Sequence, residues 1–176
     1  MEIIGLVLMW TVLVFSVVVH ECAHGITAYK LGDPTAYRAG RLTLNPLKHI
    51  DPMMTIMMPV MFLVLSGGRF AFGGAKPVPI NPWHFRNADK GMMLTGLAGP
   101  LSNFTLVLIG ILGFKGIELI LPPSFTLETI QILFFSLILV NLILGVFNLI
   151  PIPPLDGSRV LRYFLPWDMK ESLDQL

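Results

Sequence analysis

Thr129 to Leu155 is a run of 27 residues without a charged side chain, and Gly91 to Phe114 is another of 24. A hydrocarbon layer about 30 Å thick is crossed by about 20 apolar residues at about 1.5 Å each. Both runs are therefore long enough to span. Ile3 to Val19 adds 17 charge-free residues and spans if its helix continues past His20. Pro52 to Gly68 also gives 17, but it is short for a full crossing and Pro59 interrupts it. Four such runs in 176 residues do not fit a soluble globule with buried helices.

The composition agrees. Charged residues make up 13% of the chain, about half the usual share, and 54% is hydrophobic, which excludes disorder. A single cysteine excludes a disulfide framework and a multi-cysteine metal cluster. A net charge of +1 gives no case for nucleic acid as a partner. The first apolar run lacks a basic leader segment, which argues against a cleavable signal peptide. One domain, residues 1–176, is expected.

The pattern predicts a first helix over Ile3–Leu31, stopped by Gly32, Asp33 and Pro34. A polar connection to Asp51 follows, then a short apolar helix, Met53–Leu65. Gly67 to Asn87 is glycine- and proline-rich, and Val78 and Ile80 alternate with prolines, so that backbone should be extended. A helix over Ala88–Lys115 is expected with Asn87 as its cap, and another over Leu127–Ile150, ended by Pro151, Pro153 and Pro154. A short amphipathic helix, Gly157–Leu165, closes the pattern. The expected fold is an all-α polytopic membrane protein, with three core transmembrane helices, a short apolar helix and an extended re-entrant segment.

Lysines and arginines flank the end of the first helix (Lys30, Arg38, Arg41, Lys48), precede the second long one (Arg69, Lys76, Arg86, Lys90) and follow the third (Arg159, Arg162, Lys170). By the positive-inside rule these ends lie in the cytoplasm of a multi-pass inner-membrane protein. Residues 51–90 must then enter and leave on that side. Non-helical backbone at such depth survives only against protein or water, which points to a wet cavity.

His20-Glu21-Cys22-Ala23-His24 fits H-E-x-x-H. On a helix the two histidines share a face and can meet one zinc ion, while Glu21 can approach its water as a base. Three ionisable side chains at membrane depth are costly and usually functional. Cys22 is not at a ligand position and reads as a small buried residue. A catalytic zinc needs a third protein ligand, and spacing leaves Asp51, Asp89, Asp156, His49 and His84 open. Asp156 follows the longest charge-free run on a proline-rich arm, although an aspartate there also suits a helix cap.

Further segments carry a resemblance: Arg41–Pro52, Phe72–Asn81, Ala98-Gly-Pro-Leu-Ser-Asn103, and Asn148 through Gly157, which fits N-x-x-P-x-P-x-L-D-G. With HECAH, they make the chain resemble the site-2 protease family of intramembrane zinc metalloproteases (peptidase family M50), especially its small bacterial members. The resemblance implies one Zn²⁺ per chain held by His20, His24 and Asp156, Glu21 as catalytic base, and Asn103 and Asn148 lining the active site. The substrates expected of such an enzyme are transmembrane proteins in a lipid bilayer, and the Lys and Arg pattern above puts the active site toward the cytoplasmic side. Oxyanion stabilisation falls to zinc, helped by the Asn103 or Asn148 amides; the other reading of these asparagines is interhelical hydrogen bonding, which also suits Asn141. Gly96, Ala98 and Gly99 read as close helix packing. The segment 73–80 offers an edge to an unwound substrate, with prolines limiting its donors. Relatives often continue into a further hydrophobic helix and carry an aromatic residue at the position of Gly74. The oligomeric state is left open.

Two rival readings remain. A metal or proton transporter would use the same side chains as a pathway. An inactive relative would bind membrane proteins without cutting them, but would have no need to keep HECAH and Asp156.

Overall fold

The computed structural model describes residues 2–67 and 74–174. The helices are α1 (Glu2–Lys30), α2 (Thr35–Arg38), α3 (Met58–Leu65), α4 (Ala88–Ile120), α5 (Phe125–Asn148), α6 (Asp156–Phe164) and α7 (Trp167–Asp174). Single tight turns occupy Pro46–His49 and Pro82–His84, and a wider π-type turn, Pro52–Met57, leads into α3. No strand occurs among the described residues.

Most boundaries follow local chemistry. Asn87 caps α4 by accepting from the Lys90 N–H, and Ser124 caps α5 by accepting from the Leu127 N–H. Gly32 turns the chain away after α1 at a φ of 105°, which favours glycine. Three differences from the sequence pattern stand out. α4 runs on to Ile120 rather than Lys115, α2 forms inside the first polar connection, and α7 was not indicated. Pro166 starts α7 by accepting from the Met169 and Lys170 N–H groups, and the short polar helix that follows carries no strong apolar period.

α1, α4 and α5 pack on one another and α6 packs on α4. α1, α4 and α5 are long and apolar enough to cross a membrane. The bundle is apolar outside and polar within. Leu108, Leu112 and Ile143 are 62%, 73% and 58% exposed, while Ser16, Thr95, Asn103 and Asn141 are fully buried. In water such a surface would aggregate; in lipid it is the solvated face, and interhelical polar contacts hold the interior. The protein is thus an all-α, multi-pass membrane protein.

The end of α1, the start of α4 and the end of α5 meet at one end of the bundle. Asp33 accepts from His84 at 2.7 Å, Asp89 of α4 pairs with Arg162 of α6 at 2.5 Å, and Asp89 also pairs with Lys170 of α7. Residues 74–80 lie across this end without helix. Their N–H groups at Gly74, Lys76 and Val78 donate to Met54 O (3.0 Å), His49 O (2.8 Å) and a Glu21 carboxylate oxygen (2.8 Å). This every-second-residue spacing is that of extended backbone. Phe72 and Gly73 lie outside the described residues.

Candidate metal centre

His20 and His24 stand one turn apart on α1, their rings edge-to-face with centroids 4.6 Å apart. α4 passes directly beneath them at Gly99, where a Cβ would sit 2.5 Å from both His24 Nε2 and His20 Cε1. Only glycine lets a helix come this close. After α5 the proline arm turns back and α6 begins at Asp156. Gly157 lets this first turn rest on the end of α5, since a Cβ there would meet the Leu149 carbonyl at 2.2 Å.

Asp156 does not cap α6. The cap position is Leu155, with no side-chain bond to the helix. Instead the Asp156 Oδ2 lies 3.0 Å from both His20 Nε2 and His24 Nε2, and those two nitrogens lie 3.0 Å from each other. All three side chains are buried.

The far sides of the histidines fix their protons. His24 Nδ1 is 2.7 Å from the Thr95 carbonyl, which can only accept, so Nδ1 carries the proton. For His20 the assignment runs through three helices. The Leu137 carbonyl accepts from Asn141 Nδ2 at 2.8 Å, which turns the Asn141 oxygen toward Asn103. Asn103 Nδ2 donates to that oxygen at 2.8 Å, which turns Asn103 Oδ1 to His20 Nδ1 at 2.6 Å. Asn141 also donates to Ser16 Oγ at 2.8 Å. In the neutral imidazoles both Nε2 atoms then bear lone pairs, and these converge with a carboxylate oxygen at one point. Three acceptors at hydrogen-bonding distance with no proton between them repel unless a cation sits among them. Two imidazoles and a carboxylate match a catalytic zinc set, for which bonds of about 2.0–2.1 Å put ligand atoms ~3.3 Å apart. The residues present fit the metal.

Glu21 stands beside this set but outside it, its carboxylate held by the Val78 N–H at 2.8 Å. A cleft of about 120 Å³ opens here, bounded by His20, Glu21, His24, Val78, Asn148 and Asp156. Asn148 lies in its wall and donates to the Leu144 carbonyl at 3.0 Å. Asn103 is placed differently from the oxyanion role expected of it. It is fully buried behind His20, and its amide nitrogen is turned to Asn141 rather than to the cleft.

The other candidate ligands have local duties. Asp51 caps the Pro52–Met57 turn, His49 faces the Thr43 carbonyl, and Asp89 and His84 form the pairs described above. Cys22 is buried and donates to the Thr43 carbonyl. Asp33 was missed as more than a helix stop. It is fully buried and accepts from the Thr35 N–H and hydroxyl, the Asn81 N–H and His84. Burial pushes its carboxyl up, but the bonds from Thr35, Asn81 and His84 outweigh this and hold it below the ordinary value. Asp33 thereby moors the far end of the segment whose Val78 holds Glu21.

Comparison with known sequences is decisive at this point. The protein of Bacillus subtilis named "Putative zinc metalloprotease YwhC" is 40% identical over 169 residues, covering 93% of this chain and 71% of that one. The chain belongs to peptidase family M50. The family model matches residues 116–175, which include Asp156 but not His20 to His24. "Putative zinc metalloprotease Rip2" of Mycolicibacterium smegmatis is 33% identical over 158 residues, covering 90% of this chain and 57% of that one. No solved structure matches the chain. As an M50 zinc metalloprotease, the chain takes Zn²⁺ as its cofactor.

Proposed function

We propose that this chain hydrolyses a peptide bond within or beside a transmembrane segment of its substrates, with His20, His24 and Asp156 as the zinc ligands. The observation that carries this is the convergence of three acceptors at 3.0 Å, with Glu21 beside them, on a helix long enough to span. When bound, zinc supplies Lewis acidity and an activated water. Glu21 takes a proton from the attacking water and returns it to the leaving nitrogen. The Val78 N–H holds one Glu21 oxygen and leaves the other to handle the proton. Asn103 and Thr95 keep the histidine protons on the far side of the rings. Asn148, in the cleft wall, is placed to contact the substrate backbone. The positive-inside pattern supports a cytoplasmic location for this end of the bundle. Glu21 standing outside the ligand set favours hydrolysis over a metal pathway, which would use it as a ligand.

Zinc content per chain tests the assignment in purified wild type, Glu21→Gln and Asp156→Ala. Wild type and Glu21→Gln should hold about one zinc and Asp156→Ala much less, as a three-ligand site requires. Equal zinc in Asp156→Ala would remove it from the ligand set. A transmembrane reporter cut by wild type and spared by Glu21→Gln completes the test.

A further inference from the structure

A second cavity of about 720 Å³ opens beside the metal cleft, between the Pro82–His84 turn, the start of α4, and α6 and α7. The cleft itself, at about 120 Å³, is smaller than the 300–1,000 Å³ typical of ligand sites, whereas the second cavity falls in that range. One side chain, Arg159, lines both, and the adjoining Pro153 and Pro154 each face one of them. A chain with its scissile bond at the metal centre can thus pass Arg159 into the larger space.

Arg159 is positioned rather than loose. Its stem lies on α4 at Gly96, where a Cβ would meet Arg159 Cβ at 3.1 Å. Its guanidinium has five N–H donors. Its recorded partner among the described residues is the Asp156 Oδ1, at 3.5 Å. That distance is an ion pair and longer than a good hydrogen bond. Arg162 on the same wall is engaged by Asp89 at 2.5 Å, which leaves Arg159 as the cation nearest the metal cleft. Trp83 and Trp167, 90% and 77% exposed, supply apolar faces on the same wall.

We propose that this cavity binds the segment of the substrate flanking the scissile bond, and that Arg159 selects substrates with an acidic side chain there. This rests on the protease reading above. The occupant is a peptide because the cavity adjoins, at Arg159, the cleft in which the peptide bond of a protease substrate would lie. A carboxylate suits a fixed guanidinium with unused donors, through paired N–H bonds, and the two indoles cover the aliphatic and aromatic parts of the same segment.

The test uses the whole chain in proteoliposomes and three reporters. Each has the same apolar transmembrane helix, followed by a short flank rich in Asp and Glu, in Asn and Gln, or in Lys and Arg. Wild type should cut the acidic reporter with kcat/KM about tenfold above the basic one. Arg159→Gln should level the three, and Arg159→Glu should reverse their order. Zinc content is measured on every variant. An unchanged order in Arg159→Glu at wild-type zinc content overturns the proposal. If the Arg159 variants lose zinc, the zinc-loaded Glu21→Gln protein decides by binding, read from tryptophan fluorescence. Tighter binding of the acidic reporter, weakening with salt, supports the site, and equal affinities overturn it. If wild type cuts no reporter faster than Glu21→Gln, the protease reading fails, and the binding measurement still decides the flank site.

Discussion

His20 and Asn103 meet at 2.6 Å through Nδ1 and Oδ1, on the side of the imidazole away from Asp156. The Asn103 amide can point only one way, because Asn141 beyond it is fixed by a backbone carbonyl. Asn103→Leu should therefore weaken zinc binding about 10- to 100-fold, the usual effect of removing a partner behind a ligand. Asn141→Leu should weaken it less, because Asn103 can still reach His20. Titration against a chelator of known zinc affinity measures both. Unaltered affinity in Asn103→Leu would show that the contact does not orient the ligand.

Glu21→Gln keeps the shape of the side chain and removes its basicity. Turnover should fall about 10²- to 10⁴-fold, the range for a lost general base, with zinc retained and KM little changed. Steady-state kinetics on a transmembrane reporter gives the split. A loss confined to KM would make Glu21 a binding group.

Gly99→Ala puts a methyl group 2.5 Å from both histidine rings, so the rings or α4 must move. Zinc content and melting temperature should both fall. Gly116→Ala on the same helix meets nothing within 4 Å and should stabilise, by up to about 1 kcal/mol of helix propensity. The pair separates a site-specific clash from a general intolerance of α4 to alanine.

Asp33 has a depressed carboxyl when folded, so its bonds contribute fully above the unfolded-state value of about 3.9. That contribution is lost as pH falls through the lower, folded value. Stability should drop below about pH 4, and Asp33→Asn should flatten that part of the profile. At neutral pH, Asp33→Ala should cost about 2–3 kcal/mol, since it strands buried donors that faced a charge. Melting curves from pH 3 to 7 check both. Proteolysis across residues 77–84 should rise in parallel.

What was legible in the sequence was what one helix determines. The i, i+4 histidines, the Asn87 cap and the three long apolar helices depend on neighbours within a few turns, and all are present, although α4 runs on to Ile120 and α5 is set two residues earlier than read. Asp156 looked equally fit to cap α6, and only the fold of the proline arm onto α1 and α4 shows where its carboxylate goes. Asn103 carried the right motif, but the direction of its amide depends on residues of α5. Asp33 read as punctuation because its partners Asn81 and His84 lie about 50 residues away in sequence.

The extended stretch before α4 also limits what can pair with its outer edge. Gly74, Lys76 and Val78 turn their N–H groups inward, which leaves Ala75, Pro77 and Pro79 for the opposite side. Two of those three have no N–H to give. A second copy meeting this edge finds carbonyls and a single donor, too few to zip into a continuous sheet. Any pairing along this edge is therefore short.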